Sequence, residues 1–163
     1  MKRVGLILAA VVLLFAAPSR ARTPDIALDP RDGIWIAQDD KFIFQTLDRW
    51  SVFSAGATVN KLVVDQSILW LATDDGVIRF DIGSQKSTKL TMDDGLPSQR
   101  ISTVAFDDQY VWFGTNKGLV RYRKTDRTLK TYDESNGLPS KVVTYSVTIG
   151  RQVWFGTRAG IAV

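Results

Sequence analysis

The sequence predicts an all-β protein, an incomplete β-propeller of about three and a half four-stranded antiparallel blades. Two observations predict it. Trp70, Trp112 and Trp154 are evenly spaced and sit in one phrase, read as Leu69-Trp-Leu-Ala-Thr-Asp-Asp-Gly-Val77, Val111-Trp-Phe-Gly-Thr-Asn-Lys-Gly-Leu119 and Val153-Trp-Phe-Gly-Thr-Arg-Ala-Gly-Ile161. A second phrase keeps the same period, Asp94-Gly-Leu-Pro97 returning as Asn136-Gly-Leu-Pro139. Two unrelated motifs locked to a period of roughly 40–45 residues, with short strands between them, are the mark of propeller blades.

The elements follow in order. Positions 1–21 have the build of a secretory signal. Lys2 and Arg3 precede an apolar run from Val4 to Ala17, and Ser19-Arg20-Ala21 is a small-x-small cleavage site. The competing reading is an uncleaved N-terminal membrane anchor, but the Val4–Ala17 run is shorter than the ~20 residues a spanning helix needs. No later segment of the mature chain could span a membrane. Residues 22–163 are then the propeller segment, with blades at about 24–57, 58–98 and 99–140 and a partial blade at 141–163.

The best-defined blade shows four short alternating runs separated by turn residues: Ile101–Phe106, Tyr110–Thr115, Leu119–Arg123 and Thr128–Tyr132. The blade before it matches with Val59–Val64, Ile68–Thr73, Val77–Ile82 and Thr88–Met92. The first blade is shortened and divergent, with Ile26–Asp29, Gly33–Ala37, Lys41–Phe44 and Trp50–Phe53. Ala55-Gly-Ala57 stands where Gly-Leu-Pro would be. The fourth begins at Val142–Ile149, passes Trp154 and reaches Val163 inside a third strand. No helical period is present in the mature chain.

Strand alternation sends Trp112 to one face and Val111 and Phe113 to the other, as expected of a middle strand packed between two neighbouring blades. Gly114 and Gly156 would leave room for a close neighbour, with Ala72 and Ala37 doing so less well. The glycines at 76, 118 and 160 suit the positive-φ position of a hairpin turn. Pro97 and Pro139 are expected to stop one blade's outer strand and stiffen the crossing to the next.

The formal charge of +4 comes from 21 basic and 17 acidic residues. Cleavage after Ala21 removes Lys2, Arg3 and Arg20, leaving 18 against 17, a net of +1. A nearly neutral chain has no electrostatic footprint for nucleic acid. The chain has neither Cys nor His. That excludes disulfides, lipoprotein acylation, thiol chemistry, the commonest general base and the commonest transition-metal ligand. No cofactor is expected.

Carboxylate pairs stand at Asp39-Asp40, Asp74-Asp75, Asp93-Asp94, Asp107-Asp108 and Asp133-Glu134, each at a turn. Capping of those turns is the preferred reading over calcium binding, since no EF-hand spacing is present. Thr73, Thr115 and Thr157 recur at one register, which suits a structural hydrogen bond better than a catalytic hydroxyl. The tryptophans are read as interblade packing, and Arg79 and Arg121 as ion-pairing residues. No nucleophile, phosphate-loop or metal motif is present.

The repeated phrases resemble the two-component regulator propeller repeat. Its pattern runs Val-x-x-Ile-x-x-Asp, then Leu-Trp-Ile-Gly-Thr-x-x-Gly-Leu-x-Arg-Tyr-Asp, then an aromatic pair and Gly-Leu-Pro. Val111–Tyr122 and Leu69–Asp81 follow it closely, and the first blade follows it weakly. The resemblance implies the periplasmic part of a bacterial sensor, upstream of a membrane helix and an output such as a histidine kinase or diguanylate cyclase. It also implies a ligand of glycan type. The family commonly has seven or more blades, so the sequence predicts either further C-terminal blades or a homo-oligomer that covers the open ends of the stack. The open blade faces are expected to expose Trp and Phe, which favours association.

In a propeller the turns between second and third strands share one face with the loops leading into each blade. Here that face presents Asp39, Asp40 and Lys41, then Asp74 and Asp75, then Asn116 and Lys117, then Arg158. These are the candidate ligand-binding residues, for a glycan or a partner protein; a polysaccharide-acting enzyme is the less favoured alternative.

Overall fold

The computed structural model describes residues 25–29, 33–46 and 49–163. The expected signal at positions 1–21, with its cleavage point after Ala21, lies outside the described residues. Each run of alternating apolar residues becomes a strand. The first sheet holds β1 (Asp25–Asp29), β2 (Gly33–Gln38), β3 (Lys41–Gln45) and β4 (Trp50–Ser54). The second holds β5 (Val59–Asp65), β6 (Ile68–Thr73), β7 (Gly76–Asp81) and β8 (Lys86–Leu90). The third holds β9 (Ile101–Phe106), β10 (Tyr110–Thr115), β11 (Gly118–Arg123) and β12 (Leu129–Tyr132). The fourth holds β13 (Val143–Ile149), β14 (Gln152–Thr157) and β15 (Gly160–Ala162).

Within each sheet every strand pairs antiparallel with its sequence neighbour, so each sheet is a simple meander. The first strands of successive sheets lie side by side: β5 against β1 and β9, and β13 against β9. Four sheets radiating from a row of inner strands make a four-blade propeller arrangement, as the sequence predicts. Strand ends fall close to those expected from alternation, within the ordinary uncertainty of a strand boundary.

The core lies between blades. Val111 and Phe113 face blade 2, where they meet Trp70 and Ala72, together with Tyr122 of their own blade. Trp112, one residue between them, faces blade 4 and packs with Leu119, Leu138 and Phe155. Trp35 of blade 1 packs with Leu71 and Phe80 of blade 2. The ring contacts repeat with the blades. Trp70 lies 5.8 Å from Phe113 and Trp112 lies 5.6 Å from Phe155, centroid to centroid. Trp35, Trp70 and Trp112 are therefore interblade packing residues, and each aromatic contact adds to the area it buries.

Three expectations need correction. Pro97 and Pro139 do not stop the outer strands, which have already ended at Leu90 and Tyr132. What stops them is a capped 3-10 turn, Met92–Asp94 or Glu134–Asn136. The Thr91 or Asp133 side chain accepts the backbone N–H of Asp93 or Ser135, drawing the chain out of the sheet. Gly95 and Gly137 then turn it in the left-handed region, at φ 102° and 90°. Leu96 and Leu138 plug the interblade core, so Gly-Leu-Pro is the exit of a turn with an apolar anchor.

Arg79 and Arg121 work by stacking on rings. The Arg121 guanidinium carbon is 4.5 Å from the Tyr110 centroid and 5.6 Å from that of Tyr132, a cation–π contact on the outer part of the blade. Nor, among the described side chains, are Trp and Phe the exposed large apolar residues of the end blades: Trp35 and Phe155 are buried. Exposure falls on Ile26, Leu28 and Val52 in blade 1 and on Tyr145, Ile149 and Ile161 in blade 4.

Candidate functional site

The four turns between second and third strands are built alike. Register pairs Gln38 with Lys41, Thr73 with Gly76, Thr115 with Gly118 and Thr157 with Gly160, leaving two residues at each tip. Those tips are Asp39-Asp40, Asp74-Asp75, Asn116-Lys117 and Arg158-Ala159. In blades 2 to 4 a threonine clamps the turn. Its Oγ1 donates to the carbonyl of Gly76, Gly118 or Gly160, at 2.8 Å in each case. The same oxygen accepts the backbone N–H of Asp75, Lys117 or Ala159, at 3.1, 2.9 and 3.3 Å. Closing the hairpin is thus the role of the repeated threonine.

The turns are also stitched to the loops that lead into the next blade. Gly76 N–H donates to Gln99 O at 2.6 Å, Gly118 N–H to Lys141 O at 2.8 Å, and Val59 N–H to Asp39 O at 2.7 Å. The close approach requires glycine at 76: a Cβ there would lie 2.3 Å from the Leu90 carbonyl oxygen, and φ is +95°. The backbone of this face is consequently fixed while the tip residues differ from blade to blade.

The structure brings all eight predicted residues to this one face. Asp39, Asp40, Lys41, Asp74, Asn116, Lys117 and Arg158 are exposed and Asp75 is half-buried. Blades 1 and 2 present four carboxylates at their tips, and blades 3 and 4 present Lys117 and Arg158. Two of the acids are engaged by their own neighbours. Asp74 accepts from Asn60 Nδ2 at 2.9 Å and lies 3.5 Å from Arg100 Nε, while Asp75 pairs with Lys89. The Asp39 and Asp40 tip is held through its backbone, where Asp39 takes a positive φ of 53°.

The remaining carboxylate pairs are mostly turn caps. Asp133 caps its 3-10 turn, Asp94 closes the capping box with Thr91, and Glu134 accepts the Lys141 N–H at 2.8 Å. Asp107 accepts from the backbone of Gln109 and Tyr110, both at 2.8 Å, and also from Trp112 Nε1 at 2.8 Å. Among the described residues no group of three or more acids could hold a metal ion, and no helix is long and apolar enough to cross a membrane.

Sequence reasoning missed a polar cluster on the inner strands. Asp25 of β1 accepts the Leu62 N–H at 2.7 Å, and burial pushes its carboxyl above the ordinary value. Lys61 of β5 reaches past blade 3 to the Ser146 carbonyl of β13 and lies 4.6 Å from the Tyr145 ring centroid. Burial holds the Lys61 amine below its ordinary value, against the pull of Asp25. The only trace of this in the sequence is one Lys among apolar neighbours in β5. A cleft of about 440 Å³ lies elsewhere, between Trp112 and Tyr132 of blade 3 and Phe155 and Ala162 of blade 4.

Solved structures share this architecture. The extracellular domain of a hybrid two component system, BT3049 of B. thetaiotaomicron, superposes with a TM-score of 0.72 at 24% identity, over 86% of this chain and 21% of that one. The extracellular domain of the one component system BT4673 of the same organism gives 0.71 at 21%, over 88% and 20%. The likeness is one of fold. Virginiamycin B lyase from Staphylococcus aureus has it too, with a TM-score of 0.67 at 14% identity over 89% of this chain and 52% of the lyase. The chain therefore spans about a fifth of these two extracellular domains. No family model and no curated protein matches the sequence.

Proposed function

We propose that the chain is an exported, non-enzymatic propeller segment that binds a glycan or a partner protein across the turn face, as the N-terminal part of a two-component-type sensor. The observation that carries this reading is the contrast on that face. The two-residue turn recurs in all four blades, with the threonine clamp and glycine in blades 2 to 4, whereas the tips run from paired acids to Asn116-Lys117 and Arg158. A rigid frame with varied exposed side chains is how binding loops are mounted on a scaffold. The repeat phrases, the signal-like N-terminus and the similarity in fold to two extracellular sensor domains support the same reading.

A glycan array probed with the purified protein tests it. Binding to a defined oligosaccharide is expected, and D39A/D40A and N116A/K117A are each expected to weaken it at least tenfold, a loss of about 1.4 kcal/mol or more. Retention of full affinity by both variants would place binding away from this face. Turnover of the oligosaccharide would instead favour an enzyme, a role that the propeller fold of the lyase accommodates.

A second reading has its own observation. Ile26, Leu28 and Val52 at one end and Ile149 and Ile161 at the other are exposed aliphatic strand positions. They suit an assembly module in which the end blades pack against further blades or another copy. Sedimentation equilibrium decides this: a monodisperse monomer at micromolar concentration opposes it.

A further inference from the structure

The opposite end of the blades carries a break in the repeat. In blade 1 the Trp35 indole N–H donates to Asp29 Oδ2 at 2.9 Å, and in blade 3 that of Trp112 donates to Asp107 Oδ2 at 2.8 Å. Asp65 occupies the position in blade 2 that corresponds to Asp107, but its carboxylate is taken by Lys124 Nζ at 2.6 Å. Lys124 is fixed there by a second bond, to the Asp107 carbonyl at 2.7 Å. The Trp70 indole N–H is left buried with no acceptor among the described residues. An unpaired buried donor costs about 1–3 kcal/mol, so its retention needs a physical reason.

Trp70 lines a cleft of about 210 Å³ between blades 2 and 3, at the β5–β6 turn and the β11–β12 connection. Arg79, Tyr122, Lys124 and Arg127 line it as well, together with Asp65 and the exposed Asp108 at its rim. The Arg79 guanidinium carbon lies 6.0 Å from the Trp70 ring centroid. Arg127 is presented by a left-handed residue, φ 61°, at the end of the β11–β12 connection. Arg79 and Arg127 line this one cleft together with Tyr122. Asp65 is neutralised by its lysine. The cleft thus offers an unpaired N–H donor and two guanidinium groups.

We propose that this cleft binds the oxyanion group, carboxylate or phosphate, of a small molecule, with Trp70 Nε1 as the central donor and Arg79 and Arg127 as the charge partners. Guanidinium groups match the planar geometry of oxyanions, and an anion that accepts from the indole N–H removes the cost of the orphan donor. The site lies at the far end of the strands from the turn face and is independent of ligand binding there.

Indole N–H signals in a proton–nitrogen correlation spectrum of the uniformly labelled protein test this. The Trp70 signal is assigned by Trp70→Phe, which keeps a ring in the core. Potassium acetate and inorganic phosphate are titrated separately, each at constant ionic strength balanced with sodium chloride. The expected result is a saturable shift of the Trp70 signal alone, at millimolar concentrations, with one anion or both; the two titrations separate carboxylate from phosphate. Arg127→Gln, an exposed position, should weaken the response at least tenfold while leaving the rest of the spectrum in place. The proposal is overturned if neither anion moves the signal, or if Arg127→Gln and Arg79→Gln both respond as the parent does. It also falls if Asp65→Asn moves the signal and the anions do not, since the indole is then held by Asp65 as in blades 1 and 3.

Discussion

Gly114 and Gly156 occupy the same place in two successive blades, yet alanine should act on them in opposite directions. A Cβ at 114 would lie 2.5 Å from Thr103 Cγ2 and 2.7 Å from Val143 Cγ1, with Val143 Cβ at 3.1 Å. Carbon atoms in contact sit about 3.5–4.0 Å apart, so each neighbour must retreat by about 1 Å. Both belong to inner strands, β9 and β13, and Val143 is fully buried, so neither has free space behind it. Overpacking of this kind costs about 1–3 kcal/mol. At 156 the nearest atoms are Tyr145 Cβ at 3.6 Å and Thr144 Oγ1 at 3.8 Å, which is ordinary contact. There the smaller entropy of the unfolded alanine chain should prevail, a gain of about 0.4–1 kcal/mol. Urea unfolding followed by tryptophan fluorescence measures both. We expect a lower midpoint for Gly114→Ala, a slightly higher one for Gly156→Ala, and unchanged slopes. Thr103→Ser removes the methyl at 2.5 Å but keeps the hydroxyl bonded to Ser146, and should recover part of the Gly114→Ala loss. Equal midpoints for the two alanine variants would refute the reasoning, because the blades would then not approach as closely at 114 as described.

Two further predictions rest on buried polar groups. Thr115→Val keeps the shape of the side chain but removes the hydroxyl that clamps the turn to Gly118 and Lys117. It should cost about 1–3 kcal/mol in urea unfolding, and Thr157→Val, which is half-buried, should cost less. The Asp25 carboxyl is raised above its ordinary value chiefly by burial, so the ionised form is disfavoured in the folded state. Its contribution to stability is therefore fully present below the unfolded value of 3.8 and is lost as pH rises through the raised folded value. Asp25→Asn should accordingly gain stability relative to the parent at neutral pH, and that gain should shrink on acidification toward the bottom of the carboxylate range; a difference that does not vary with pH would count against it.

The framework is legible in the sequence because the same physical problem is solved in every blade. Each middle strand packs on both faces, so Val111-Trp112-Phe113 must be apolar throughout, and the periodic return of that need betrays the fold. The glycines at 76 and 118 are legible for the same reason, since the hairpin geometry that demands positive φ recurs. Gly-Leu-Pro is visible as a repeat, but its role is not. The proline stands out in sequence, whereas the capping bonds of Thr91 and Asp133, which end the strand earlier, are local backbone events with no unique signature. The roles of Arg79 and Arg121 escape the sequence because an arginine's partner, a ring or a carboxylate, is fixed only when the strands are in register.

The chemically distinctive positions are those where the repeat is broken, and such breaks carry little signal in a single sequence. Lys61 has no lysine at the corresponding positions of the neighbouring inner strands, and its reach to Ser146 depends on how closely blades 2 and 4 approach across blade 3. Asp65 and Trp70 keep the motif letter for letter. The departure comes from Lys124, on the following blade, which takes the carboxylate that the motif assigns to the indole. Trp70 therefore reads in sequence like Trp112, although its indole N–H lacks the carboxylate acceptor that Trp112 has. The turn face poses the reverse case: Asp39, Asp74, Asn116 and Arg158 can be found from sequence because topology alone puts them together. Whether that face takes a ligand, and of what chemistry, depends on side chains that the fold does not constrain. Repetition thus locates the scaffold, and only the departures from it distinguish one blade's chemistry from the next.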